Sequence, residues 1–159
     1  MQDTTPFFNA IRNGNLNEVS KILDENPGLI DAKDQRGSTP LILATYYNHI
    51  KMTSLLLDKG SKIDEKDSSG NTALMGVCFK GFIEIAKTLI DKGANVNEKN
   101  AMGSTGLIYA VTFKHLAITK LLLANAADTS VKDGRGNTAL DHAKLQGLPK
   151  LIDLLESES

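Results

Sequence analysis

The side chains able to do chemistry in this chain are few. Three histidines, His49, His115 and His142, are the candidates for metal ligands or general bases. A zinc site needs about three or four ligands converging on one point, and no suitably spaced partners accompany them. Asp141 and His142 are adjacent and could suggest an acid–base pair. Neighbouring residues on a helix diverge by about 100°, so the two read instead as a solvated face. Cys78 lies in the apolar run from Ala73 to Phe79, where a buried and inert thiol is expected. Gly134-Arg135-Gly136 has a faint look of a phosphate loop, yet it lacks the third glycine, the lysine-serine pair and a preceding strand. It reads as the tip of a turn. Lys33, Lys66, Lys99 and Lys132 recur at even spacing, each beside an acid or amide, and read as a solvated ladder rather than a nucleic-acid track. No catalytic residue, metal ligand or cofactor is assigned, and the chain is read as non-enzymatic.

Composition removes further classes. The 159 residues suffice for one domain with a continuous core. A net charge of −1 supplies no basic field to attract nucleic acid or an anionic membrane. A single cysteine excludes an internal disulfide and any multi-cysteine metal site, and fits a reducing compartment. The opening MQDTTPFFNAIRNG has neither a basic start nor an apolar run suited to a leader. No segment approaches the roughly 18 apolar residues of a membrane span. The expectation is a soluble cytoplasmic protein, monomeric on its own.

The elements that must carry these residues are clearest in Asp67–Lys99. This stretch opens with the turn Asp67-Ser68-Ser69-Gly70, and Thr72 follows as a helix cap. An apolar segment from Ala73 to Phe79 stops at Gly81, and a second from Ile83 to Ile90 stops at Gly93. The pattern is turn, helix, tight loop, helix, turn. Helices of about two turns do not stand alone in water, so such a unit must bury its apolar faces against copies of itself. The copies are present. Gly37, Gly70, Gly103 and Gly136 recur every 33 residues, as do Thr39, Thr72, Thr105 and Thr138, and Leu56, Leu89, Leu122 and Leu155. A fixed period of this size marks a solenoid whose repeats touch only their neighbours.

The period and the run Asp34-Gln35-Arg36-Gly37-Ser38-Thr39-Pro40-Leu41 resemble the ankyrin repeat over nearly the whole chain. The resemblance implies an all-α solenoid in one domain, 1–159, with short hairpin-like turns. Its units are 4–33 as an N-terminal cap, 34–66, 67–99, 100–132, and 133–155 as a C-terminal cap, with 156–159 a frayed acidic tail. In the first unit Thr5 is expected to cap a helix that begins at Pro6, and Asn26-Pro27-Gly28 marks a longer turn holding one inserted residue. Its Arg12, Asn13, Glu18, Lys21 and Glu25 give it the polar face of a cap. The fourth unit departs most: Gly106 stands where proline is usual, and Lys114 and Ala126 stand where glycine is usual. In the last unit Leu151, Ile152, Leu154 and Leu155 are expected to form the buried face. The histidine that the family often carries after T-P-L is replaced by Ile42, Met75, Ile108 and Asp141, which predicts apolar contacts there.

The resemblance implies a protein-interaction module that presents turn tips and first helices to a protein partner. The family geometry places Gln35-Arg36, Ser68-Ser69, Ala101-Met102 and Gly134-Arg135 at the tips. It places Tyr46-Tyr47, Phe79-Lys80 and Thr112-Phe113 at the ends of first helices on the concave face. Four of the eight aromatics fall among those six helix positions, where a stacking framework does not need them. Exposed aromatics beside arginine are common components of interface hot spots. The expected partner site is therefore Gln35, Arg36, Tyr46, Tyr47, Ser68, Ser69, Phe79, Lys80, Met102, Thr112, Phe113 and Arg135. An alternative role is a dedicated accessory subunit or inhibitor of one specific enzyme. A small-molecule or catalytic role is the reading from another class.

Overall fold

The computed structural model describes residues 3–158. Among them ten α-helices alternate with turns: α1 (Thr5–Arg12), α2 (Leu16–Glu25), α3 (Pro40–Tyr46), α4 (Ile50–Asp58), α5 (Ala73–Lys80), α6 (Ile83–Asp91), α7 (Gly106–Thr112), α8 (Leu116–Ala124), α9 (Ala139–Gln146) and α10 (Pro149–Ser157). None of the described residues is in a strand. The odd-numbered helices pack in succession as one layer and the even-numbered helices as a second. This is the all-α solenoid that the period predicts.

The first helices from α3 onward start for one shared reason. Thr39, Thr72, Thr105 and Thr138 each accept a hydrogen bond from the backbone N–H three residues on, at 3.2–3.3 Å. That satisfies one of the donors a helix start leaves free. The first unit differs from its expectation. Thr5 is already helical, Thr4 holds the cap position without a side-chain bond, and Asp3 Oδ1 accepts from the Thr5 N–H at 2.9 Å. The aspartate satisfies that N–H from outside, so the helix opens one residue before Pro6. The longer turn at Asn26-Pro27-Gly28 becomes a 3-10 helix, Pro27–Asp31.

The core repeats with the period. Leu56, Leu89, Leu122 and Leu155 are fully buried between the layers, as are the small residues Ala44, Val77, Ala110 and Ala143. Burying one such leucine contributes roughly 1.5–3 kcal/mol. Ile42, Met75 and Ile108 are buried as the apolar substitution predicts. In α10 Leu151 and Leu155 are buried, while Ile152 and Leu154 are half-exposed. The expected tail is shorter than 156–159. Glu156 and Ser157 complete α10, where Ser157 Oγ donates to the Leu154 carbonyl at 2.7 Å. Ser159 lies outside the described residues.

Neighbouring units are clasped at the far end by the loops after the second helices. Asp31 Oδ1 accepts from Lys62 N–H at 3.0 Å, Asp64 Oδ1 from Asn95 N–H at 3.0 Å, and Asn97 Oδ1 from Asp128 N–H at 2.8 Å. The lysine ladder also has a structural role. Lys33 Nζ donates to the Lys66 carbonyl and Lys66 Nζ to the Lys99 carbonyl, both at 2.9 Å.

Candidate protein-binding surface

The turns that carry the tip residues are shaped by their opening side chain. Asp34 Oδ1 accepts from the backbone N–H of Arg36 and Ser38, and Asp67 Oδ1 from Ser69 and Asn71. Asn100 Oδ1 accepts from Met102 and Ser104, and Asp133 Oδ1 from Arg135 and Asn137. Asparagine therefore does the work of aspartate at this oxygen. Successive turns are joined through backbone. Ser68 N–H donates to Arg36 O at 3.2 Å, Ala101 N–H to Ser69 O at 3.0 Å, and Gly134 N–H to Met102 O at 2.8 Å. Gly70 must be glycine: its φ is +81°, and a Cβ there would lie 2.8 Å from the Ala101 nitrogen.

This arrangement leaves the tip side chains Gln35, Arg36, Ser68, Ser69, Ala101, Met102 and Arg135 exposed in a row. Met102 is 70% exposed. At the ends of the first helices Tyr46, Tyr47, Phe79 and Phe113 are exposed by 39–47%. Lys80 is exposed and Thr112 half-buried. The aromatics form two groups. Phe79 and Phe113 meet edge-to-face with centroids 4.5 Å apart, and Tyr109 lies 6.3 Å from Phe79. Tyr46 and Tyr47 meet edge-on at 5.7 Å, and Tyr47 stacks on His49 at 6.3 Å. Lys80 Nζ sits 4.9 Å from the centre of the Tyr46 ring, a cation–π contact that links the second and third units.

Three residues of this surface are missing from the sequence expectation: Tyr109, Gly76 and Asp67. Leu43, Gly76, Tyr109 and His142 occupy one position in successive units. Glycine there opens a hollow of about 240 Å³ lined by Tyr46, Asp67, Asn71, Met75, Phe79 and Tyr109, among others. A glycine inside a helix costs roughly 0.5–1 kcal/mol against alanine. Gly76 among three large equivalents was the signal that could have revealed it.

The histidines are structural, and in a specific way. His49 Nε2 lies 2.7 Å from the Arg12 carbonyl and His115 Nε2 lies 2.9 Å from the Phe79 carbonyl. A carbonyl only accepts, so Nε2 carries the proton in both. Each ring covers the glycine of the preceding inter-helix loop. A Cβ on Gly14 would meet the His49 ring at 3.0 Å, and one on Gly81 would meet His115 at 2.6 Å. Asn48 and Lys114 hold the same left-handed conformation at φ +60° and +64°. In the units that follow them the histidine position holds Phe82 and Leu148. Side chains are tolerated in the loops that no imidazole covers. In the last unit Gln146 Nε2 donates to the Thr112 carbonyl at 3.0 Å.

The other chemical candidates resolve as follows. Asp141 and His142 point apart as expected, but neither is merely solvated. Asp141 closes a capping box with Thr138. His142 Nε2 lies 2.7 Å from Asp133 Oδ2. The Asn137 backbone N–H, with His142 as a further cause, holds the Asp133 carboxyl below its ordinary value. Cys78 is fully buried, and burial pushes its thiol up to about 12. It lies close to Gly106, where a Cβ would be 3.1 Å from the sulfur. Among the described residues no three His, Cys, Asp or Glu side chains are grouped to hold a metal ion. None of the described helices is long and apolar enough to cross a membrane.

Comparison with known proteins places these units in context. A family model described as Ankyrin repeats (3 copies) matches residues 2–67 and 61–133. The chain is similar to Protein fem-1 homolog C of Xenopus laevis, 38% identical over 61 residues, which is 36% of this chain and 10% of that protein. It is also similar to Ankyrin repeat and SAM domain-containing protein 6 of Mus musculus, 36% identical over 53 residues, 33% of this chain and 6% of that protein. The matched stretches thus span a tenth or less of these relatives.

Proposed function

The chain belongs to the ankyrin-repeat family, whose repeats are in general protein–protein interaction modules, and from that premise we propose that it binds one partner protein across its turn tips and first-helix ends. The observation that carries this reading is the set of four exposed rings, Tyr46, Tyr47, Phe79 and Phe113, at the ends of α3, α5 and α7. The helix layers bury their leucines without them, and the first helices from α3 onward are capped by their own threonines. Rings left part-exposed beside a row of free tip side chains are suited to a partner's apolar groups. The site comprises Gln35, Arg36, Tyr46, Tyr47, Ser68, Ser69, Phe79, Lys80, Met102, Thr112, Phe113 and Arg135. A net charge of −1 favours a protein over nucleic acid as the partner. The buried single thiol suits a reducing, cytoplasmic setting.

Affinity purification of the tagged chain from its native cell identifies the partner. One enzyme recovered in stoichiometric amount would narrow the role to an accessory subunit or inhibitor. The surface itself is tested by Tyr47→Ala with Phe113→Ala, against Lys87→Ala with Lys120→Ala on α6 and α8. Loss of a hot-spot ring weakens binding by roughly 2 kcal/mol, or about thirtyfold. The aromatic pair should therefore lose the partner and the lysine pair retain it. Unchanged affinity in a folded aromatic pair would refute the proposed surface.

A further inference from the structure

The second polar side-chain atom of the turn-opening residue has a partner in the second, fourth and fifth units and none in the third. Asp34 Oδ2 takes Arg12 at 3.1 Å, and Asp133 Oδ2 takes His142 at 2.7 Å. Asn100 Nδ2 donates to Tyr109 Oη at 2.8 Å and to Asn71 Oδ1 at 2.9 Å. Asp67 uses Oδ1 for the Ser69 and Asn71 N–H groups. No hydrogen bond or ion pair among the described residues reaches its Oδ2. The position that supplies His142 in the last unit and Tyr109 in the fourth is Gly76 here, so the donor is missing and the hollow stands in its place. Lys80 does not replace it, since its ammonium lies over the rings of Tyr46 and Phe82.

We propose that the hollow over Gly76 receives one arginine side chain of the partner protein, its guanidinium bonded to Asp67 and lying against the rings of Tyr46, Phe79 and Tyr109. Three features select this occupant. A carboxylate oxygen without a partner calls for a cationic donor. Aromatic walls favour a planar guanidinium over an ammonium, because guanidinium stacks on rings and is more weakly hydrated. The volume, about 240 Å³, falls below the roughly 300 Å³ at which small-molecule sites begin, and suits one side chain rather than a metabolite. Within this molecule Asp34 Oδ2 already takes a guanidinium, that of Arg12. The inference rests on the partner-binding reading above, but its test needs no partner.

The test is a nuclear magnetic resonance titration of the labelled full chain with Nα-acetyl-arginine amide. Nα-acetyl-lysine amide and Nα-acetyl-norleucine amide serve as the ammonium and uncharged arms. The arginine amide should shift the N–H signals of Ser69, Asn71 and Gly76 saturably, the lysine amide more weakly, and the norleucine amide not at all. Asp67→Asn should weaken binding at least fivefold while keeping the turn, as Asn100 does in the next unit. Gly76→Leu, which places at this position the residue that Leu43 is in the second unit, should abolish the shifts. Its backbone has open space for a Cβ. Absence of the three shifts would overturn the proposal. So would equal response to norleucine or lysine amide, or undiminished binding in Asp67→Asn. Tyr47 and Phe113 do not line the hollow, so failure of the aromatic-pair experiment and failure here are separate results.

Discussion

Replacing Gly81 with alanine should cost about twice as much as the same change at Gly147, roughly 2 against 1 kcal/mol. Both glycines end a first helix in the left-handed conformation, at φ +86° and +63°. Alanine in that conformation costs about 1 kcal/mol at either site. At Gly147 nothing lies within 4 Å of the new Cβ, so the cost ends there. At Gly81 the Cβ would lie 2.6 Å from His115 Cε1 and 2.7 Å from Nδ1. The imidazole must swing away and give up its 2.9 Å bond to the Phe79 carbonyl. A hydrogen bond of this kind contributes about 1 kcal/mol net. For a chain of this size about 1 kcal/mol corresponds to 2–4 °C in Tm. Urea and thermal unfolding of both variants supply the comparison. A cycle with His115→Ala isolates the cause, since without the ring Gly81→Ala should fall to the cost of Gly147→Ala. Equal costs at the two glycines, or a Gly81→Ala cost unchanged by His115→Ala, would refute the ring-on-glycine account.

Three further outcomes follow from the same geometry. Ala126 holds φ +64°, so Ala126→Gly should raise Tm by about 2–4 °C through relief of roughly 1 kcal/mol; a fall would show that α8 ends on other terms. Cys78, its thiol pushed up to about 12 by burial, should resist alkylation in the native protein at neutral pH and react on unfolding; labelling at the rate of a free peptide thiol would contradict this. Asp133 is held below its ordinary value of 3.8, chiefly by the Asn137 N–H. A depressed carboxylate stabilises the fold above that value and loses its contribution as pH falls below it, so Asp133→Asn should flatten the acid-side decline in Tm; parallel declines would refute the assignment.

The repeat is legible in the sequence because its determinants are local. A threonine cap, a left-handed glycine and leucines at helical spacing each act within a few residues, and their recurrence every 33 positions carries the stacking. The start of α1 was misplaced because the satisfying group, Asp3, sits outside the cap position. Gly106 reads in the sequence as a missing proline. In the structure it lies against Cys78 of the unit before, a contact across the period that no local pattern displays. Asn48 and Lys114 likewise make sense only against Phe82 and Leu148, the residues that replace the covering histidine one unit later. The candidate surface was legible as a set of exposed positions. The hollow was not, because Asp67 Oδ2 is left without a protein partner by the absence of a side chain at Gly76, nine residues away.

The framework also explains why this surface is free to diverge. The bonds that tie one turn tip to the next run between backbone atoms, from Ser68 N–H to Arg36 O, Ala101 N–H to Ser69 O and Gly134 N–H to Met102 O. Each turn is shaped by its opener and its glycine, never by the two tip side chains between them. The side chains of Gln35-Arg36, Ser68-Ser69, Ala101-Met102 and Arg135 therefore carry no folding duty, and their change costs the array little. The core has no such freedom, since Leu56, Leu89, Leu122 and Leu155 are fully enclosed. The same separation holds at the opener. Its Oδ1 accepts two backbone N–H groups in each of the four units that carry it, whereas its second atom meets arginine, nothing, tyrosine or histidine in turn. What the framework leaves unspecified there, a partner can specify, and Asp67 is the one opener where the choice has been left open to an external group.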